Sequence, residues 1–139
     1  ALKGRQFAAL RISQPQAAEA PAADGLRLMR ANYDTLVNYL CPLVREMRTR
    51  GGIIAYTGSP AGFLGLPRSG PYSAAKAAGR VLLDACRIEL VGSRLSLVAL
   101  YPGFTYTDGL DADAVPVKAL IIDRDRAVRE MIRAIERER

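Results

Sequence analysis

The 139-residue chain contains no histidine and no tryptophan, only two cysteines, and 6% aromatic residues. Without imidazole there is no serine-hydrolase triad and no histidine general base. Cys41 and Cys86 show no Cys-x-x-Cys spacing, so no metal site is expected. Both fall in helical patterns and read as small buried apolar residues; their reduced thiols imply a cytoplasmic protein. Long apolar runs are missing too. Leu97 to Leu100 falls far short of the roughly 20 residues that a membrane-spanning helix needs, so no membrane partner is expected. With few aromatics but 50% hydrophobic residues, the core must come from Ala, Leu, Ile and Val, as in helices covering a sheet. The formal charge is +6, yet the arginines are scattered, and the 124–139 tail interleaves them with Asp125, Glu130, Glu136 and Glu138. That is a mixed solvated surface, not the continuous basic face that phosphate backbones require, and no nucleic-acid partner is expected.

Residues 14–24 are rich in Ala and Pro without apolar periodicity, and residues 1–25 read as a poorly ordered or unrelated lead-in, with a possible strand at Phe7 to Ile12. The organised domain is expected over 26–139. Leu26, Met29, Tyr33, Leu36, Val37, Leu40, Val44 and Met47 recur at spacings of three and four, which predicts an amphipathic helix with a kink at Pro42. Gly51 and Gly52 end it, and Ile53 to Tyr56 predict a buried parallel strand. A second helix starts near Pro71, with Ala74, Ala78, Val81, Leu82, Ala85 and Ile88 as its apolar positions. Leu95 to Leu100 predict another strand, 103–118 a long loop, and 124–139 a last helix. Helix, strand, helix, strand, helix implies an α/β domain with a βαβ crossover in a parallel sheet.

In such sheets ligands sit at the carboxyl ends of the strands, so Ser59 and the Pro102–Thr107 stretch are the informative positions. Tyr72 and Lys76, four apart on a helix, project from one face. A phenol is a poor base near neutral pH unless an adjacent cation favours the phenolate, and Lys76 can supply that charge. Tyr72 could then exchange a proton with an alcohol or carbonyl oxygen while a hydroxyl such as Ser59 donates to the same oxygen. Taken singly, Ser59 is also an ordinary turn residue and Asn32 an ordinary helix-surface amide. Asn38 and Tyr56 read as surface or packing residues.

The stretch Tyr72-Ser73-Ala74-Ala75-Lys76-Ala77-Ala78 resembles the active-site helix of the short-chain dehydrogenase/reductase family. Gly52 to Gly62 resembles the family segment that carries the catalytic serine, and Ser59 precedes Tyr72 by 13 residues, the family interval. Asn32 stands 27 residues before Ser59, as the family's helix asparagine does. Pro102-Gly103-Phe104-Thr105-Tyr106-Thr107 resembles the Pro-Gly-x-x-x-Thr loop beside the nicotinamide. The resemblance implies an oxidoreductase moving hydride between NAD or NADP and an alcohol or carbonyl substrate. It implies Tyr72 as acid/base, Ser59 as donor to the substrate oxygen, Lys76 as ribose binder and tuner of Tyr72, and Asn32 as proton relay. Pro102, Gly103, Thr105 and Thr107 would contact the cofactor. The two long helices would join copies of the chain as a homo-oligomer.

The resemblance covers about residues 26–139. The Thr-Gly-x-x-x-Gly-x-Gly turn that seats the pyrophosphate, the ribose selector and the Asn-Asn-Ala-Gly stretch are not in the sequence. The expectation is therefore a partial Rossmann-type doubly wound sheet without its N-terminal nucleotide-binding half, from a truncated or frame-shifted gene, inactive by itself. The rival expectation is a non-catalytic scaffold or dimerisation domain of the same descent. Substrate identity and the choice between NAD and NADP are not legible.

Overall fold

The computed structural model describes residues 7–11, 22–66, 69–106, 115 and 121–138. Three strands, β1 (Phe7–Arg11), β2 (Gly52–Thr57) and β3 (Leu95–Leu100), form one parallel sheet in the order β1-β2-β3. Arg11 is level with Thr57, and Thr57 with Leu100, so the strands finish together at one end of the sheet. Between β1 and β2 the chain is helical from 22 to 50: α1 (Ala22–Met29), a π turn (Arg30–Asp34) and α2 (Thr35–Arg50). Helix α3 (Gly70–Glu89) links β2 to β3, and α4 (Arg124–Arg137) follows β3.

Helices cover both faces of the sheet, which is why β2 reads as an unbroken apolar run. Ile54 and Tyr56 on one face, with Leu95 and Leu97 of β3, pack against Leu36, Leu40 and Met47 of α2 and Leu83 of α3. Ile53, Ala55, Val98 and Leu100 face the other way, against Met131, Ala134 and Ile135 of α4. Among the described residues no helix is long and apolar enough to cross a membrane, and no group of three or more potential metal ligands occurs.

The helices and strands from Gly52 onward match the sequence expectation; four details differ. The strand expected at Phe7 to Ile12 is present as β1, but α1 begins at Ala22, inside the segment read as lead-in, because a helix start depends on backbone hydrogen bonds more than on apolar periodicity. The long helix departs from α geometry not at Pro42, through which α2 is continuous, but at the π turn. There the Thr35 hydroxyl donates to the Arg30 carbonyl, five residues back, over 3.3 Å. The wider turn brings Leu28, Asn32, Leu36 and Leu40 onto the buried side and leaves Leu26 outside.

On α3 the buried residues are Ser73, Ala75, Lys76, Gly79 and Leu83, while Ala74, Val81, Ala85 and Ile88 face outward. Hydrophobicity was a poor guide here because the inward positions are selected for close approach of backbones. Cys41 is exposed and Cys86 half-buried, contrary to the reading of both as buried residues: Cys41 follows the inward Leu40 on α2 and turns outward, while Cys86 packs only at the margin of the core. Most of the 103–118 loop lies outside the described residues.

Candidate active site

Ser59 leaves β2 in extended conformation and caps a single 3₁₀ turn, Pro60–Gly62. Its Oγ accepts from the Ala61 amide at 3.2 Å, so the hydroxyl is oriented by the turn and its proton remains a donor. The turn lies directly on α3. A Cβ on Gly62 would come within 2.9 Å of the Lys76 carbonyl oxygen, so only glycine lets the two backbones approach this closely. Ser59 is thereby placed beside the helix that carries Tyr72 and Lys76.

Tyr72 is half-buried in the first turn of α3, and the Lys76 ammonium lies 5.4 Å from the centre of its ring. Lys76 itself is 3% exposed. Burial brings its pKa down to about 8, because the desolvated site disfavours the ammonium form. One residue after Tyr72, the Ser73 hydroxyl accepts from the Leu66 amide at 3.2 Å and ties down the chain that enters α3.

Asn32 sits in the π turn, which packs against α3. It is 1% exposed; its Nδ2 donates to the Leu28 carbonyl at 2.9 Å, while its Oδ1 is buried without a protein partner. A buried acceptor of this kind calls for a donor from water or a ligand. The surface-amide alternative for Asn32 is thus excluded, and Asn38 is exposed as expected.

Tyr56 extends from β2 under α3, with its hydroxyl 2.8 Å from where a Cβ on Gly79 would stand. Burial, with lesser contributions from Tyr101 and Tyr72, pushes its pKa up to about 12, so it remains neutral in the ordinary pH range. It is a packing residue.

Pro102, Gly103 and Thr105 continue from β3 at the same end of the sheet as Ser59. The Thr105 hydroxyl donates to the Gly103 carbonyl at 3.2 Å, and Thr105 forms a parallel bridge with Ile122. The Ile122 amide donates to the Phe104 carbonyl at 2.8 Å, and the Tyr106 amide donates back to Ile122 at 3.1 Å. The described hydrogen bonds of this stretch thus run to itself and to Ile122, not to α3. Thr107 lies outside the described residues.

Sequence reasoning missed the residues that fasten the Ser59 turn. Arg80, one helical turn beyond Lys76, donates from Nε to the Gly62 carbonyl at 3.1 Å and lies over the Phe63 ring at 5.0 Å. Phe63 in turn meets Tyr101 edge-on, ring centres 4.8 Å apart. The available signal was the four-residue step from Lys76 to Arg80, which no family motif marks.

The family model of short chain dehydrogenases matches residues 8–114. The glycine betaine reductase ATRR of Emericella nidulans is 33% identical over 119 residues, which is 78% of this chain and 9% of that protein. A short-chain dehydrogenase of Burkholderia cenocepacia, solved in complex with NADP, is 25% identical with a TM-score of 0.74; 88% of this chain aligns with 50% of that one. A Sphingobium yanoikuyae short-chain dehydrogenase solved with NADPH superposes with a TM-score of 0.82 at 22% identity, over 94% of this chain and 54% of its own. The chain therefore spans about half the length of these solved proteins and 9% of the curated relative.

Proposed function

The chain belongs to the short-chain dehydrogenase family, and from that premise we propose that it carries the proton-handling half of an NAD(P)-dependent oxidoreductase site acting on an alcohol or a carbonyl compound. The observation that carries this reading is the buried Lys76 ammonium beneath the Tyr72 ring, on a helix whose backbone seats the Ser59 turn.

Lys76 and Tyr72 on α3, with the unsatisfied Asn32 Oδ1 on the π turn packed against that helix, offer polar groups that fit the nicotinamide-ribose end of a dinucleotide. Lys76 and Tyr72 would hold the ribose hydroxyls; Pro102, Gly103, Thr105 and Thr107 would border the nicotinamide. When bound, the dinucleotide supplies or accepts the hydride. In the reducing direction Tyr72 gives its phenolic proton to the substrate oxygen while the Ser59 hydroxyl donates a hydrogen bond to it. In the oxidising direction Tyr72 takes that proton back. Lys76 places its ammonium 5.4 Å from the centre of the Tyr72 ring, and Asn32 holds a water through its free acceptor to return protons from solvent. A cytoplasmic setting fits the two free cysteines.

A second reading is favoured by the outer face of α3, where Val81 is 56% and Ile88 75% exposed. Such an apolar stripe suits association of two copies through the long helices, whether the assembly is catalytic or only a scaffold. Calorimetric titration with NADH and NADPH separates the two. Saturable binding that Lys76→Ala weakens at least tenfold is expected for the enzyme. A folded, self-associating chain that binds neither dinucleotide would leave the scaffold reading in its place.

A further inference from the structure

We propose that Arg80 is a positioning residue that locks the Ser59 turn onto the Tyr72–Lys76 segment of α3, a role that rests on the hydride-transfer reading of this site. The turn that orients Ser59 is only three residues long, and its own hydrogen bonds, Gly62 amide to Ser59 carbonyl and Phe63 amide to Pro60 carbonyl, both 2.9 Å, hold it internally without tying it to the helix. Glycine at 62 permits the close approach to the Lys76 carbonyl, but its amide is already given to the Ser59 carbonyl inside the turn, so a further polar tie to the helix calls for a side chain.

Arg80 supplies it. Its Nε donates to the Gly62 carbonyl, the acceptor at the end of the turn, and its guanidinium plane covers Phe63, the next residue. On the far side Nη1 bonds to Asp84 at 3.2 Å, one helical turn further on, which fixes the direction of the guanidinium. Asp84 is also held by Arg87 at 3.5 Å, and Arg87 donates from Nε to the Leu97 carbonyl of β3 at 3.0 Å. The turn is thus gripped from α3 by Arg80 and walled on its other side by Tyr101, whose ring packs edge-on to Phe63. An Arg–Asp pair four apart on a helix normally contributes little when exposed. Here the same guanidinium also reaches a second element, and its side chain is only 29% exposed.

The consequence for chemistry follows from geometry. The Ser59 Oγ is fixed relative to the turn, and the turn relative to Tyr72 through Arg80, so loosening this bond lets the two hydroxyls drift apart. A misplacement of about 1 Å in a reacting group costs on the order of a hundredfold in rate. Lysine at position 80 would keep the charge but not the planar fork that serves Gly62, Phe63 and Asp84 together.

Amide hydrogen exchange on the ¹⁵N-labelled chain, followed by NMR, tests the lock without cofactor. Arg80→Ala is expected to speed exchange about tenfold at Ala61, Gly62 and Phe63, to leave Ile54 and Val98 in the sheet unchanged, and to be only partly rescued by Arg80→Lys. Unchanged exchange at the turn, or equal acceleration throughout the chain, overturns the proposal. Should Arg80→Ala fail to fold, Phe63→Leu decides: about threefold faster exchange at Gly62 supports the lock, and no change overturns it. In parallel, turnover of 4-nitrobenzaldehyde with saturating NADPH is expected to show kcat lowered tenfold or more by Arg80→Ala at an unchanged KM for NADPH. A rise in that KM with kcat intact overturns the assignment to Ser59. A wild-type chain that neither binds nor oxidises NADPH sinks the hydride-transfer reading and the positioning role with it, while the exchange pattern still decides whether the lock itself exists.

Discussion

The two faces of α3 are built on opposite principles. The inward face presents a hydroxyl, a methyl, an ammonium and a bare backbone, in Ser73, Ala75, Lys76 and Gly79, before the first large apolar residue, Leu83. The outward face carries Val81 and Ile88, both largely exposed. An ordinary surface helix would place the aliphatic stripe inside. Here the inner face is crowded by a turn, a tyrosine and a neighbouring helix, so its residues are chosen for small size or for chemistry. The outer face is free to be apolar, a composition that suits a surface covered by another copy. Close packing inside and available apolar area outside are separate properties of one helix, and each can be broken separately.

The largest effect is expected at Gly79. Its Cα stands under the Tyr56 hydroxyl and Leu36, so a side chain there has nowhere to go. Gly79→Val should cost about 3 kcal/mol of stability by overpacking, measured by urea denaturation, and Tyr56→Phe in the same chain should recover at least ~1 kcal/mol by removing the opposing oxygen. A loss under about 0.5 kcal/mol would mean that the inward face is not tightly packed.

Lys76 breaks the comparison in the other direction, because its charge is on the buried face at a cost. Lys76→Met should raise stability at pH 7 by about 2 kcal/mol while abolishing dinucleotide binding, seen by running denaturation and calorimetry on one preparation. Loss of both stability and binding would show that the ammonium holds the fold together.

A smaller signature is expected in pH dependence. Lys76 is held at about 8 against an ordinary value of 10.5, so between these values the unfolded chain binds more protons and stability rises with pH. Tyr56, raised from 10 to about 12, has the opposite sign: its contribution is complete below pH 10 and is lost as pH climbs through 12. The denaturation midpoint should rise by the equivalent of about 1 kcal/mol from pH 8 to 10 and then fall. A profile in Lys76→Met that keeps the rise would assign it to another group.

The smallest effect on the single chain is expected on the outer face. Val81→Glu with Ile88→Glu should change monomer stability by no more than about 0.5 kcal/mol, yet abolish any association seen by sedimentation. Association that survives both charges would place the contact elsewhere.

Much of the candidate site was legible in local patterns. Ser59 could be found because a strand ending in a Gly/Pro-rich loop is visible in the residues themselves, and Tyr72 with Lys76 because a step of four fixes two side chains on one side of a helix. Strands β2 and β3 were legible as apolar runs bounded by glycine and proline. The inward side of α3 was not, since an alternation of Ala, Gly and Lys gives no hydrophobic signal. Arg80 was hidden for a similar reason: an arginine on an amphipathic helix looks like solvent-facing charge until a carbonyl from another element is seen to meet it. The π turn was hidden as well, because its extra residue shifts the apolar spacing by one and makes Leu26, not Leu28, look like the inward position.

The sequence by itself determined the order of elements, the parallel α/β class and the spacing that puts a phenol, an ammonium and a hydroxyl within one short stretch, because these depend on contacts between residues near each other in the chain. Only the tertiary structure decided which face of α3 is buried, where Asn32 points its unsatisfied oxygen, and what holds the Ser59 turn in place. Those depend on distances between segments far apart in the chain, where a missing Cβ or a single carbonyl outweighs the hydrophobicity of any one residue.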